Sequence, residues 1–189
     1  PERIIADTLK NFAAGCNLLS LHGLYYSTRG GFWEWAAPDF HWRQPWWREF
    51  RGFLRMIERL SMAISQGVHR CDVAIVYPTA PAQAGQHAND ALNVCRTIID
   101  GLWAAGIDCD VIDRQGLDES VVRDGELHVA GERYRTLVLP GLGVSHAIAL
   151  TRTLEFARAG GNAIAVDPLP VTTEAGTRDP LLAALSQAV

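Results

Sequence analysis

Apolar residues follow two different rhythms along this chain, and the rhythm changes near residue 70. Before the change, Ile4, Ile5, Leu9, Phe12 and Ala13 fall near helical spacing and predict a helix over 2–14, stopped by Gly15. The short apolar run CNLLSLHG then reads as a buried strand ending at His22, so that helix, glycine and strand make the αβ step of a parallel sheet. Further on, Phe50, Phe53, Leu54, Ile57, Leu60 and Ile64 repeat at i, i+3, i+4 and i+7. They predict a long amphipathic helix over 46–66, ended by Gly67.

After residue 70 the apolar residues come in short continuous runs. DVAIVYP (72–78), DCDVID (108–113), TLVLPG (136–141) and NAIAVD (162–167) read as buried strands, and GELHVAGERY (125–134) as a hairpin or two short strands. Helices are predicted over 88–105 and 145–159, the latter followed by Gly160-Gly161, and from Pro180 to Val189. This alternation predicts an α/β fold, a doubly wound parallel sheet of flavodoxin-like type. The boundary between the two parts is expected at about residues 67–71, dividing the chain into 1–68 and 69–189. Since it starts at Pro1 inside one helical pattern and stops inside another, the chain reads as a fragment.

Between the first strand and the long helix lies LHGLYYSTRGGFWEWAAPDFHWRQPWW, which has neither rhythm. It holds five of the six tryptophans, two of the four tyrosines and two of the six histidines. A loop cannot usually bury so many rings, so another part of the protein or a ligand must cover them. His22 stands where ligands bind in parallel folds, at the carboxyl end of a strand. With the tyrosines and Trp33-Glu34-Trp35 it offers an imidazole, phenols, indoles and a carboxylate on one connection. Sugar sites need that mixture, because ring faces pack on the C–H face of a pyranose while the polar groups bind its hydroxyls. Glu34, between two indoles, fits three roles: a general acid of raised pKa, a hydroxyl ligand, or a surface charge. Trp46 and Trp47, beside Pro45 at the helix start, are expected to pack under the helix with Trp42.

Composition narrows the field further. A net charge of −4 gives no reason to expect nucleic acid or an anionic membrane as partner, and no apolar run reaches the roughly 18 residues of a span. Cys16, Cys71, Cys95 and Cys109 form no CxxC pair and are expected as free, buried thiols. His69, His87, His128 and His146 lie in separate elements with no zinc-binding spacing, and no metal ligand set is predicted. The loop PTAPAQAGQ lacks both GxGxxG and a P-loop, which argues against a nucleotide. LPGLGVSHA resembles the nucleophile neighbourhood of class I amidotransferase-like domains, with Ser145 as N-cap. Its Gly141-Leu142-Gly143-Val144 turn offers no cysteine, so a non-catalytic relative of that fold is expected.

GCNLLSLHGLYYS, the aromatic stretch with PDFHWRQPWW, the helix containing RMIERLSMAISQG and HRCDVAIVYPT together resemble bacterial glycoside hydrolases of the large α-L-rhamnosidase type. In these a TIM barrel is followed by a flavodoxin-like domain, an order shared by β-galactosidases that carry a trimerisation domain. The resemblance covers most of residues 1–140. It implies that 1–68 is the terminal segment of a barrel and that the substrate is an α-L-rhamnoside. It also implies inversion by two carboxyl groups about 6.5–9.5 Å apart, supplied by earlier strands. His22 matches a substrate-binding position of that family, and so does Tyr26. The family is associated with a calcium ion contacting the sugar; no cofactor is expected within this chain itself. The expected partners are carbohydrate, the rest of the same chain and, as an open alternative, further copies of it. A different class of function is a non-catalytic interaction or oligomerisation module with the aromatic stretch as its docking arm.

Overall fold

The computed structural model describes residues 2–25, 27, 29–30, 40–85, 88–141 and 143–188. The chain divides into two compact units, Pro1–Val68 and His69–Val189.

The first unit contains helix α1 (Glu2–Ala13), a single 3₁₀ turn (Trp47–Glu49) and helix α2 (Phe50–Ile64). The helix predicted over 46–66 is thus tighter at its start, where Glu49 N–H reaches Trp46 C=O. The strand expected at 16–22 does not form: these residues carry no ladder, and Leu18 is 82% exposed. A barrel strand is held by neighbours on both sides, and no described residue of this unit offers one. Five aromatic rings form the heart of the unit. Phe50 lies 5.5 Å from both Phe40 and Phe53 and 5.4 Å from Trp46 and from Trp47, centroid to centroid. Trp46 and Trp47 therefore pack at the helix start as expected.

The second unit carries the predicted parallel sheet. Its strands are β1 (Val73–Val76), β2 (Asp110–Ile112), β6 (Thr136–Leu139) and β7 (Asn162–Ala165), in the order β2-β1-β6-β7 and all parallel. Counting parallel strands alone, this is 2-1-3-4, the flavodoxin-like order over four strands. Intervening helices are α3 (Thr79–Gln83), α4 (Ala88–Ala104), α5 (Arg114–Glu119), α6 (Ala147–Arg158) and α7 (Pro180–Ala188). The segment expected as a hairpin is a three-stranded antiparallel meander of β3 (Val121–Arg123), β4 (Glu126–Val129) and β5 (Glu132–Tyr134). Its extra strand, with Val121 and Arg123 exposed, has too little apolar signal to show in the sequence.

The pleat sorts the core into two layers. On one face Ala74, Val76, Leu137 and Leu139 pack with Leu150, Phe156 and Leu185 of α6 and α7. On the other Val73, Ile75 and Val138 meet Cys95 of α4, together with Cys109. Side chains on both faces are buried, which is why these strands read as continuous apolar runs. Helix α6 ends at Gly160 (φ +90), where Gly161 N–H bonds Phe156 C=O, a turn that needs the left-handed conformation glycine accepts. Three cysteines are buried and free, but Cys16 is exposed, because the strand meant to enclose it is absent. No described helix is long and apolar enough to cross a membrane.

Candidate functional site

The aromatic connection of the first unit is closed at its stem. Phe40 N–H donates to Gly23 C=O at 3.2 Å, so the chain leaves and returns at one point. Around this stem stand exposed His22, half-buried Tyr25, buried His41 and Trp42, which is 53% exposed. The rings of Tyr25 and His41 meet edge to face at 5.8 Å, and His41 lies 6.2 Å from Trp42. Arg43 N–H donates to His41 Nδ1 at 2.9 Å, fixing the imidazole. The Arg43 guanidinium lies over the Trp42 ring at 5.1 Å. Trp42 was expected under the helix with Trp46 and Trp47, but it is half exposed instead, with Arg43 over its ring. It follows the buried His41 and precedes the turn that carries the chain into α2, so the packing beneath is already filled by Phe40 and Trp46.

Of the predicted site residues, His22 stands on this stem as an exposed side chain. Tyr26, Trp33, Glu34 and Trp35 lie outside the described residues, as does His87. Sequence reading did not single out Tyr25 and His41 as a pair. Their separation along the chain hides the contact, which only the Gly23–Phe40 hydrogen bond creates. Beside the aromatic cluster is a cavity of about 350 Å³, lined by Ile4, Ile5, Trp46, Phe50, Phe53 and Met56 with Glu49 as its one charged group. Its walls are almost wholly apolar and would leave sugar hydroxyls without partners.

The second unit has its own candidate, the crevice at the carboxyl ends of β1 and β6 where the strand order switches. The turn after β6 cannot hold a nucleophile at its first glycine: a Cβ on Gly141 would stand 2.4 Å from Asp167 C=O. Ser145 is buried, and its Oγ donates to the neighbouring His146 C=O at 3.3 Å. The residue at the N-cap of α6 is His146, not Ser145 as expected, and its side chain does not cap the helix. Glu174 does so instead from across the chain: its Oε2 accepts Ala147 N–H at 2.8 Å and its Oε1 meets His146 Nδ1 at 2.5 Å. Burial pushes the Glu174 carboxyl up, but the Ala147 N–H and His146 outweigh it and hold its pKa below the ordinary value. A link between residues 28 apart has no local signature.

Two other histidines, His69 and His128, are engaged as well. His69 faces Glu132 (3.3 Å), Asp108 (3.5 Å) and Asp110 (3.8 Å), and Tyr134 Oη donates to Asp110 at 3.0 Å. Burial pulls His69 down, yet Asp110, Glu132 and Asp108 together raise its pKa. His128 lies beside Glu126 and Arg123. Among the described residues no group of three or more His, Cys, Asp or Glu side chains is arranged to hold a metal ion.

No family model matches the chain, and neither does any curated protein. Among solved structures it is similar to the crystal structure of β-galactosidase from Bifidobacterium adolescentis, at 21% identity with a TM-score of 0.44, over 63% of this chain and 54% of that one. The chain thus spans about half the length of that structure.

Proposed function

We propose that the chain is part of a carbohydrate-active hydrolase that cleaves α-L-rhamnosides with inversion, its catalytic carboxyl pair lying outside these 189 residues. In this reading residues 1–68 end a barrel and 69–189 form a non-catalytic flavodoxin-like domain. The observation that supports it most is the closed aromatic stem, where an exposed imidazole and a half-exposed indole stand on one pinned connection. An indole face packs against the C–H surface of a sugar ring, and an imidazole binds hydroxyls. His22 binds a hydroxyl, Trp42 stacks on the ring, and Tyr26, Trp33, Glu34 and Trp35 complete the surface on the same connection. Calcium, where the parent enzyme binds it, is held by residues outside this chain.

The test is hydrolysis of an aryl α-L-rhamnoside by the parent protein and by its His22→Ala and Trp42→Ala variants. Loss of kcat/KM by roughly 10² or more in folded His22→Ala, about 3 kcal/mol of transition-state binding, is the expected result. A folded parent without activity on aryl α-L-rhamnosides or other aryl glycosides would overturn it.

A second reading is an interaction module, in which the aromatic connection docks a protein. Its support is the exposed apolar surface of the first unit at Leu18, Leu24 and Met62. A flat, contiguous binding patch found by cross-linking, with no glycosidase activity, would favour it.

A further inference from the structure

Doubly wound sheets bind their ligands at the switch point, and in this unit that place lies between the carboxyl ends of β1 and β6. Little space is left there. The enclosed crevice that remains, lined by Tyr77, Thr79, Arg114, Ser145 and His146, measures about 10 Å³. A small-molecule site needs about 300–1,000 Å³, whereas one water needs about 10–15 Å³.

His146 gives this crevice its chemistry. Its Nδ1 is held by the Glu174 carboxylate, an acceptor, which calls for a proton on Nδ1; in the neutral ring Nε2 is then the acceptor. Nε2 is fully buried and has no protein partner among the described residues. A buried acceptor left unmade costs about 1–3 kcal/mol, so it calls for a donor. The ring cannot turn away to water, because the same carboxylate also accepts Ala147 N–H at the start of α6. Thr79 and Arg114, which line the crevice, carry polar groups of the kind that complete a water's remaining bonds.

We infer that the switch point of the second unit binds a single structural water that donates to His146 Nε2, and that this sealed node stands where other folds of this order bind a ligand. The water is a bonded part of the core linking the end of β1 to the start of α6. This conclusion is independent of the sugar reading of the first unit.

The experiment is oxygen-17 magnetic relaxation dispersion of the full chain beside its His146→Phe variant, whose ring removes the acceptor and fills the space. The native chain is expected to hold one more long-lived water than the variant. Equal amplitudes in two folded proteins would overturn the inference. Should His146→Phe fail to fold, a crystal structure of the native chain decides. Solvent density at about 2.7–3.2 Å from Nε2 supports the water. A protein side chain or an organic molecule at that nitrogen, or no density in an ordered crevice, overturns it.

Discussion

The two units share one chain and use their apolar residues in opposite ways. In the second, the strands alternate between two covered faces, and Ala74, Ile75, Leu137, Leu139, Leu150 and Phe156 are almost entirely enclosed. In the first, the large rings gather around Phe50, while Leu18, Leu24, Trp42 and Met62 face outward. A regular period commits a residue to a face that some other element covers. An aromatic cluster without a period supports itself locally by ring contacts and leaves its flanks exposed.

The largest expected effect falls on the enclosed core. Phe156→Ala, at a fully buried position, should cost the second unit about 3–5 kcal/mol, read as a lower denaturant midpoint. Phe50→Ala should cost the first unit about 3 kcal/mol or less, because its ring borders an open cavity that can relax. If Phe50→Ala proves the costlier change, the contrast between the units fails.

Next comes Gly141→Ala. The new methyl group would meet the backbone carbonyl of Asp167, which cannot swing aside like a side chain. We expect a loss of about 1–3 kcal/mol with the first unit unchanged, followed by thermal unfolding. A neutral substitution would mean that the turn after β6 has room for a larger residue.

Smaller still is the effect of Glu174→Ala, which removes the acceptor at the start of α6 and should cost about 1 kcal/mol. Its native pKa lies below the unfolded value, so the carboxylate's contribution is present above about pH 4.5 and disappears as pH falls through the lower folded value. Glu174→Gln should flatten that part of the acid-stability curve, and an unchanged slope would contradict the assignment.

The smallest effect belongs to His69, which is largely solvated. Because its pKa is raised by Asp110, Glu132 and Asp108, its contribution is fully present below about pH 6.5 and is lost as pH rises through the higher folded value. His69→Gln should remove a shallow fall in stability on the alkaline side of neutrality. A native curve that is flat there would remove His69 from the account.

The parallel sheet was legible because its strands are buried on both faces and separated by helices with glycine stops. Val73–Val76, Thr136–Leu139 and Asn162–Ala165 all lie inside runs that the apolar pattern marks. Residues 16–22 mislead for an instructive reason. Their apolar character specifies a strand only in the presence of partners, and pairing is a property of neighbours that a local pattern cannot supply. Short helices such as Arg114–Glu119 escaped because a single capped turn has no period, although Asp113 accepting Gly116 N–H is the kind of cap that could have marked it. His22 was singled out as the end of a strand that does not form, and it stands exposed on the stem instead. The Tyr25–His41 contact and the His146–Glu174 pair were not legible, since both depend on the chain returning to itself.

The central claim is that the first unit carries the sugar-facing surface and the second does not. The tryptophans divide accordingly, five on the aromatic connection and Trp103 alone in the second unit. Indole N–H resonances of the chain should be followed while L-rhamnose is added. The account predicts that Trp42 and other indoles of the connection shift in a saturable way while Trp103 stays in place. A saturable shift at Trp103 alone, or none at any indole up to saturating sugar, would contradict it.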